Sequence, residues 1–432
     1  MPIVIYDVND LQAMQNDLTA YYELANDIDA SATVGWNGGK GFIPVGTYVS
    51  GHPELAFSGA FDGKGHIISE LNIHSVPADY DSFLGLFGYT RYSGEIKSVG
   101  IEDCNITGGY EWVGALIGYH NPTHGIITSK VSNCYSTGVI KAGSGCGGLL
   151  GYTDSEVEDC WSSCDITAES ITINDEVAEV GGLIGQNCPS VAITRCYTTG
   201  NIVCNATGTG NVWSVGGLAG LSNWMGMSRC FATGNITISG RLVYQIGGLV
   251  GTIDYGVHQN CYARGNITVV ASNPANGWLG GLVGINYYTI ENCYSAGEVT
   301  PTAGQPNIGG LVGGNYQGTV TNCFWDIQTS GQSDSDGGTG KTTAEMKTLS
   351  TFSAVGWDIT ASIWLLIPEC NNGYPCLWNI TPSCALILPV IYPPYELTAL
   401  EALRNIEMSA AGRVYVDETG KLRYESRYAR NP

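Results

Sequence analysis

The chain alternates two short blocks, one of glycine and aliphatic residues and one centred on a cysteine. The first block reads GGLLG from Gly147 and GGLVG from Gly247. Its copies begin 29 to 35 positions apart, at Leu84, Gly114, Gly147, Gly181, Gly216, Gly247, Gly280 and Gly309. The second block reads SNCYSTG at 132–138 and ENCYSAG at 291–297, and every copy carries a version of it. A period of this length predicts a repeat architecture in which each unit adds one structural layer.

Each unit predicts three short strands rather than helices. One strand lies in the glycine block, a second ends at the cysteine block, and a third is β-branched, as in residues 266–270. The 60 glycines of the chain disfavour helices, because glycine costs a helix interior about 1 kcal/mol. Three strands form one coil of a parallel β-helix, and coils stack at about 4.8 Å. The predicted fold is all-β: a single-stranded, right-handed parallel β-helix of about eight repeat coils plus lead-in coils.

The block pattern GGLVG-x-N followed by NCYSTG resembles the GLUG motif of bacterial and phage β-helical surface proteins. Residues 22–29 and 57–66 are similar to the lead-in coils of such proteins, and residues 341–346 are similar to the start of their closing unit. The resemblance covers residues 3–380. It implies the fold, and it brings no shared catalytic residues.

The pattern divides the chain into four parts. Residues 1–83 form an N-terminal cap helix with lead-in coils, and residues 84–330 form the GLUG-type repeats. Residues 331–388 close the β-helix, and residues 389–432 form a Pro-rich linker with a small α+β docking segment. That last segment is too small to bury a core by itself. We therefore expect it to contact a partner or another copy of the chain.

One cysteine recurs at the same place in each repeat. The eight positions are Cys104, Cys134, Cys160, Cys196, Cys230, Cys261, Cys293 and Cys323. Stacked coils hold equivalent Cβ atoms farther apart than a disulfide prefers. We therefore predict a ladder of buried, reduced thiols rather than a ladder of soft-metal or redox sites. Cys370 and Cys376 bracket a tight loop and are the best disulfide candidates, although a cytosolic origin would disfavour a disulfide.

An aromatic residue follows seven of these cysteines. The seven are Tyr135, Trp161, Tyr197, Phe231, Tyr262, Tyr294 and Phe324. Strand side chains alternate between faces, so an inward cysteine places the aromatic ring outward. The resulting stripe is a candidate contact surface for glycans or a protein partner, because exposed apolar patches mark binding sites. The alternative is that loops or the C-terminal segment cover the stripe.

Charge excludes some classes of partner. Acidic residues outnumber basic ones by 39 to 18, a net charge of −21, which argues against nucleic acid and anionic membranes as partners. No apolar run is long enough for membrane insertion. The N-terminus MPIVIYDVNDLQ lacks the features of a signal peptide, so the sequence predicts no export by the standard route.

The acidic stretch 154–179 is the place to look for hydrolase chemistry. Paired carboxylates could cleave a glycoside or bind Ca²⁺, and a solvated acidic face is the simpler interpretation. No Lys or Arg occurs from residue 142 to 194, and a lyase would require one. The histidines show no metal-ligand spacing. We predict no catalytic residues, no metal, no cofactor and no enzymatic activity.

The two ends carry their own signals. Asn9 is a candidate N-cap with Gln12 at N3, which predicts a short helix that plugs the first coil. Near the other end, residues 396–409 predict a helix, and residues 413–417 and 421–425 predict a hairpin. Residues 410–427 resemble modules of bacteriophage tail and virion proteins.

Three functions remain open on the sequence. We predict a structural or adhesive β-helix, most simply a phage virion component of the tail or fibre type that presents a rigid surface for host or glycan contact. The alternatives are a secreted bacterial adhesin and a polysaccharide lyase or glycoside hydrolase. The predicted location is the virion, the extracellular space or the cell surface. Other virion or surface proteins would bind through 396–432, and host glycans and a homo-oligomer are further candidate partners.

Overall fold

The computed structural model describes most of the chain. The described residues are 1–75, 82–91, 94–121, 129–170, 175–188, 192–223, 226–274, 276–359, 363–368, 370–378 and 380, with the backbone of 412–416 and 422–426. The chain divides into two compact units, Met1–Thr342 and Thr343–Pro432. Within the described ranges, no helix is long and apolar enough to cross a bilayer.

The glycine block of each repeat contributes one strand to an eight-stranded parallel sheet, here called the glycine sheet. Neighbouring strands come from successive repeats, so sheet order follows chain order. The strands are Phe87–Thr90, Ile117–His120, Leu150–Thr153, Ile184–Asn187, Ala219–Ser222, Val250–Ile253, Val283–Asn286 and Val312–Asn315. This order is that of stacked coils, and it confirms the predicted parallel β-helix.

A second face of the coils precedes the glycine sheet in each repeat. Five of its strands pair in parallel: Val177–Gly181, Val212–Gly216, Ile246–Gly247, Leu279–Gly280 and Ile308–Gly309. Two more form their own parallel pair, Glu111–Val113 with Ser144–Cys146. These strands end where the paired glycines begin, so the glycines make the corner between the two faces.

The remaining strands form a 26-stranded sheet that wraps around the other corners. It is called the cysteine sheet here, and its strands lie before and after the cysteine blocks. Those before the cysteine are Lys130–Ser132, Glu156–Glu158, Ile193–Thr194, Met227–Ser228, Val257–Gln259, Thr289–Glu291 and Thr319–Thr321. Those that begin after it are Tyr135–Ala142, Trp161–Ser162, Tyr197–Thr198, Phe231–Ala232, Tyr262–Ala263, Tyr294–Ser295 and Phe324–Asp326. The third strands of the coils are Asp165–Glu169, Ile202–Asn205, Ile236–Gly240, Ile267–Ala271 and Val299–Thr300.

The lead-in coils extend the cysteine sheet at its start. Their strands are Ile3–Ile5, Tyr21–Leu24, Ile28–Asp29, Ala60–Ser69, Asn72–His74 and Ile96–Thr107, and Thr339–Lys341 adds a last strand at the other end. Short 3₁₀ helices Met14–Asn16, Ser31–Gly39 and Pro53–Leu55 connect the first coils. A four-residue helix, Ile327–Ser330, follows the last repeat.

Steric crowding explains the paired glycines. A Cβ on Gly248 would lie 2.2 Å from the carbonyl oxygen of Gly281, and a Cβ on Gly281 would lie 2.2 Å from that of Gly310. Neither distance permits a methyl group, so the second glycine of each pair is fixed by the approach of the next coil. The residue before each cysteine makes another corner. Asn292 has a φ of 51° and Asn322 a φ of 54° there, as the predicted left-handed corner requires.

The interior of the β-helix is filled by ladders of equivalent side chains. The leucine of each glycine block is fully buried, and so are the eight repeat cysteines. All eight are free thiols, which confirms the predicted reduced ladder. Burial raises the pKa of the Cys196 thiol, so this neutral thiol packs as a small apolar group.

The N-terminal helix spans Val8–Ala13, and its cap differs from the prediction. Asp7 rather than Asn9 is the N-cap, and its carboxylate accepts hydrogen bonds from the backbone N–H groups of Asn9 and Asp10. A carboxylate competes well for this position because the helix N-terminus carries partial positive charge. Leu11 and Met14 are fully buried, which agrees with a helix that plugs the first coil.

The second unit begins with two short helices, Thr343–Met346 and Leu349–Ser353. Strands Trp364–Leu365 and Cys376–Leu377 pair antiparallel, with the 3₁₀ helix Asn371–Gly373 between them. Strands Gly412–Val416 and Leu422–Ser426 also pair antiparallel, in agreement with the predicted hairpin. The predicted helix 396–409 and most of the linker segment 389–432 lie outside the described residues.

The predicted disulfide between Cys370 and Cys376 is wrong. Cys370 is disulfide-bonded, whereas Cys376 is a buried free thiol. The partner of Cys370 lies outside the described residues. Sequence spacing suggested the pair, but Cys376 lies within a short strand and faces the small core of Leu365 and Ile367.

Candidate binding surfaces

The predicted aromatic stripe forms a continuous stack along the cysteine sheet. Equivalent residues are paired in register, for example Tyr197 with Phe231 and Phe231 with Tyr262. Their ring centroids are 4.8 Å apart in both pairs, and the rings are parallel within 3°. The stacking extends from Tyr135 to Tyr294. Because the centroid spacing matches the coil spacing, the aromatic stack also holds the coils in register.

Most of this stack is closed to ligands. Phe231, Tyr262, Tyr294 and Phe324 are buried, with Tyr294 showing no exposed surface. These four residues therefore do not form an open platform. Their rings serve packing, because neighbouring aromatic faces cover one another.

Three rings at the other end keep partial exposure. Tyr135, Trp161 and Tyr197 are half-buried. The hydroxyl of Tyr135 donates to Glu102 at 2.5 Å, and its ring lies over Gly100, where a Cβ would approach it to 2.3 Å. These contacts fix the position of Tyr135 at the end of the stack. Contact with a glycan or a protein partner stays a prediction for Tyr135, Trp161 and Tyr197 only.

A second group of aromatic rings, which sequence reasoning missed, is exposed at the turn after the glycine sheet. We call Tyr255, Tyr287, Tyr288 and Tyr316 the tyrosine patch, and each is 43–45% exposed. Tyr287 and Tyr316 occupy equivalent positions on successive coils, with ring centroids 5.7 Å apart. Tyr255 and Tyr288 form the matching pair at 6.0 Å. In the sequence, a tyrosine lies seven or eight residues after the first glycine of three consecutive repeats. This recurrence is the sequence feature that could have indicated the patch.

Two asparagines, the buried Asn286 and the partly exposed Asn315, hold the turns of the tyrosine patch. The Asn286 side-chain amide donates to the carbonyl of Tyr288 at 3.1 Å and to Asn315 Oδ1 at 2.8 Å. Asn286 Oδ1 accepts from the Tyr288 N–H at 3.1 Å. Asn315 in turn donates to the carbonyl of Gly318 at 3.0 Å. The backbone that carries the rings is therefore fixed from below by a side-chain ladder.

One carboxylate borders the tyrosine patch. Asp254 occupies on its coil the position that Tyr287 occupies on the next, since the Tyr287 N–H donates to the carbonyl of the preceding Ile253. Burial raises the pKa of Asp254. The pKa of Tyr287 is also raised, first by burial and then by the nearby Asp254 charge. The patch therefore combines aromatic faces with hydrogen-bonding oxygen atoms.

Two acids of the acidic stretch, Glu158 and Asp159, form ion pairs with bases from neighbouring coils. Arg195 donates to both carboxylate oxygens of Asp159, at 2.6 and 2.8 Å, and also contacts Glu158. Lys130 approaches Glu158 from the other side and is the main cause of the lowered pKa of Glu158. The sequence showed no base within the stretch because the β-helix brings these two to their acids from 28 to 37 residues away.

Two histidines are buried inside the β-helix and bonded to hydroxyl groups. His120 contacts Thr90 through Nδ1, and Ser129 at 2.9 Å through Nε2. His258 Nε2 lies 2.9 Å from the hydroxyl of Ser222. Burial lowers the pKa of His120 to about 3 and that of His258 to about 4. These Ser–His pairs are closed to solvent, so they stabilise the interior as neutral hydrogen-bonded groups.

Acids, histidines and cysteines are the side chains that could hold a metal ion. In the part of the chain that the structure describes, no group of three such side chains is arranged to hold a metal ion. The cysteine ladder therefore places its thiols one above another without converging on a common point.

The fold and these surfaces define a class of protein, the β-helix built from glycine-rich repeats. Within that class, residues 243–268, 276–300 and 304–324 match the GLUG motif. These three segments coincide with the last repeats, where the paired-glycine and cysteine blocks are most regular. The resemblance read from the sequence is thus supported for the repeats, and the similarity of 410–427 to phage tail modules remains untested.

Sequence relatives match this chain over part of its length. The chain is 37% identical over 158 residues to halomucin of Haloquadratum walsbyi, covering 35% of this chain and 2% of that protein. It is 38% identical over 101 residues to a protein of Evansella cellulosilytica described as a Gly-rich membrane protein, covering 22% and 11%. It is 27% identical over 232 residues to the immunoglobulin A1 protease of Streptococcus sanguinis, covering 53% and 11%. The chain thus spans only a small part of each relative.

Solved structures match this chain as well, and one of them is aligned over most of the length of both proteins. A candidate immunoglobulin A1 protease from Bacteroides ovatus matches with a TM-score of 0.49 and 18% identity, over 87% of this chain and 92% of that chain. A second structure, described as IgA1 protease, matches with a TM-score of 0.38 and 16% identity, over 74% and 21%.

The comparisons correct one prediction and support another. The prediction that the protein is not an enzyme is contradicted by one sequence relative, since the matching protein of Streptococcus sanguinis is described as a protease. The reasoning behind it considered acids and bases within one stretch of sequence, whereas the β-helix joins Lys130 and Arg195 to that stretch. The relatives also support a surface or extracellular β-helix protein.

Proposed function

We propose that the β-helix is a rigid surface module that holds a contact face toward a host or partner surface. The observation that carries this proposal is the unbroken register of the eight-stranded glycine sheet. Each coil is fixed to the next by backbone hydrogen bonds, and the aromatic stack runs across the same coils. A contact face on such a scaffold loses little conformational freedom when it binds.

The relatives support a place outside the cell for this role. The Evansella protein is described as a membrane protein, and the streptococcal relative as an immunoglobulin A1 protease. We propose that the present β-helix has an adhesive or presenting role on a cell surface, and such a module can belong to a protein that also carries a catalytic domain.

Display on a phage virion is the second candidate. The observation that favours it is the paired strands Gly412–Val416 and Leu422–Ser426, which fit a small folded segment able to dock on another protein. In the virion role, the segment 396–432 binds other virion or surface-structure proteins, or a second copy of the chain. The β-helix then presents its surface to host glycans.

Labelling of intact cells tests the proposal. Antibodies against the β-helix are applied to intact producing cells and to purified particles from the same culture, with a cytoplasmic protein as the control. We expect label on intact cells for the adhesive role, and label on sedimented particles for the virion role. If label appears only after the cells are lysed, and on neither intact cells nor particles, both the adhesive and the virion role are contradicted.

A further inference from the structure

We propose that the tyrosine patch is a binding site for a neutral glycan, an inference that rests on the proposed role of the β-helix as a surface module. The patch lies on the turns of three consecutive coils and is formed by Tyr255, Tyr287, Tyr288 and Tyr316. It is distinct from the predicted aromatic stripe, which lies on the cysteine sheet and is largely buried.

The geometry of the rings suits sugar rings. The two tyrosine pairs repeat with the coils, so their centroid separations of 5.7 and 6.0 Å are set by the stacking of the backbone. Trp278 packs against Tyr316 with a centroid distance of 6.0 Å and an angle of 77°. This edge contact supports the Tyr316 ring from the side. Aromatic faces bind the C–H faces of sugars, while their hydroxyl groups face water.

The patch is also fixed before a ligand arrives. The amides of Asn286 and Asn315 bind the turns from inside the coil. Gly318 leaves no room for a side chain, because a Cβ there would lie 2.1 Å from the Asn286 amide nitrogen. A rigid turn of this kind reduces the entropy that a weakly binding ligand must overcome.

Charge selects neutral glycans over anionic ones. Between residues 242 and 340 the sequence contains one basic residue, Arg264. Arg264 follows the Tyr262–Ala263 strand of the cysteine sheet, away from the turns that carry the patch. Asp254 adds negative charge beside the rings, and the chain as a whole carries −21. Sialylated, sulfated or phosphorylated ligands would meet repulsion here, whereas a neutral sugar can donate hydroxyl hydrogens to Asp254.

A protein partner fits these observations less well. Stable protein interfaces bury about 800 Å² on each side around an apolar centre that is depleted of charge. Four half-exposed tyrosines that carry hydroxyl groups and border a carboxylate form a smaller and more polar surface. Such a surface matches one to three sugar units.

An array of immobilised oligosaccharides tests the inference. The array carries neutral galactosides, mannosides and N-acetylglucosamine oligomers, with the sialylated form of each galactoside beside it. The full chain is compared with the double variant Tyr287→Ala/Tyr316→Ala, with Tyr287→Phe/Tyr316→Phe, and with Tyr6→Ala. Tyr6 is 63% exposed in the first coil and is the matched control. Circular dichroism and melting curves establish that each variant is folded.

We expect binding to at least one neutral class, weaker binding to its sialylated form, and an affinity reduced at least about tenfold in the alanine double variant. The phenylalanine variant keeps the rings and should stay within about threefold of the parent, as should Tyr6→Ala. If the alanine variant is unfolded, Tyr255→Ala replaces it, with the same expected direction. Binding to no neutral glycan, preference for sialylated forms, or equal binding by the alanine variant would each overturn the inference. Surface labelling of cells is independent of this result, so its outcome shows whether the proposed surface role fails as well.

Discussion

Substitution of Gly281 by alanine tests the packing of the coils. The new Cβ would lie 2.2 Å from the carbonyl oxygen of Gly310 on the next coil, and 3.1 Å from the hydroxyl oxygen of Ser295. Relief of the closer contact requires the two coils to separate by roughly 1 Å. That movement would lengthen and weaken the hydrogen bond from the Gly281 N–H to the carbonyl of Gly309, which measures 3.1 Å.

The expected cost is the sum of two terms. Overpacking of a well-packed interior costs about 1–3 kcal/mol, and a weakened backbone hydrogen bond adds about 1 kcal/mol. The free energy of unfolding should therefore fall by about 2–4 kcal/mol. At a urea dependence of about 3 kcal/mol per molar, the midpoint of unfolding moves down by roughly 1 M.

Gly35→Ala is the matched control. A Cβ on Gly35 has no heavy atom within 4 Å, and its φ lies outside the left-handed region. This variant should unfold at the parental midpoint or slightly above it, because alanine restricts the unfolded chain. Urea unfolding followed by circular dichroism compares the three proteins. Equal midpoints for Gly281→Ala and Gly35→Ala would refute the proposed close approach of the coils.

Four further predictions address other parts of the protein. Acid should destabilise the fold: His258 stays neutral when folded, with a pKa of about 4, while its unfolded pKa is 6.5. The His258 contribution to stability is therefore lost as pH falls from about 6.5 to about 4, and it amounts to about 3 kcal/mol. His258→Gln should lose less stability than the parent over this range, by about that amount, while the buried His120 keeps some acid sensitivity in both proteins; identical pH profiles would contradict the assignment. Thiol titration should find the repeat cysteines unreactive in native protein and reactive in denaturant, and disulfides between coils in a non-reducing mass map would contradict the reduced ladder. Arg195→Gln should lower stability by at most about 1 kcal/mol, since the Arg195 network is partly solvent-exposed, and a larger loss in thermal melts would show that it is a buried structural element. Deletion of 396–432 should leave the β-helix folded and shift the protein to monomer in sedimentation, whereas unchanged sedimentation would remove the assembly role.

The periodic part of the structure could be predicted from the sequence. Paired glycines, a cysteine and a preceding asparagine recur at fixed places because stacked coils impose the same restriction on each copy. Gly281 and Asn292 illustrate this, since one is fixed by the approach of the next coil and the other by a left-handed corner. Strand count, register and the reduced thiols follow from that regularity.

The candidate sites were harder to predict because they depend on contacts between coils. Arg195 and Glu158 are 37 residues apart, and nothing local in the sequence joins them. The burial of Tyr294 was left open, because an outward side chain can still be covered by other parts of the protein. The tyrosines of the patch recur at one place in three repeats, but their recurrence alone does not show that the rings are exposed and meet between coils.

The central claim is that residues one repeat apart are neighbours in space. Lys141, Thr167, Val203, Thr237, Thr268 and Thr300 occupy one ladder on the cysteine sheet. Pulsed electron spin resonance between spin labels at Lys141 and Thr300, introduced through noncanonical amino acids to spare the native thiols, measures the stacking directly. Five coil steps predict a narrow distance distribution near 24 Å, and moving the first label to Thr167 should shorten it by about 4.8 Å. A broad distribution, or a distance that does not change with the number of coils between the labels, would contradict the stacked β-helix.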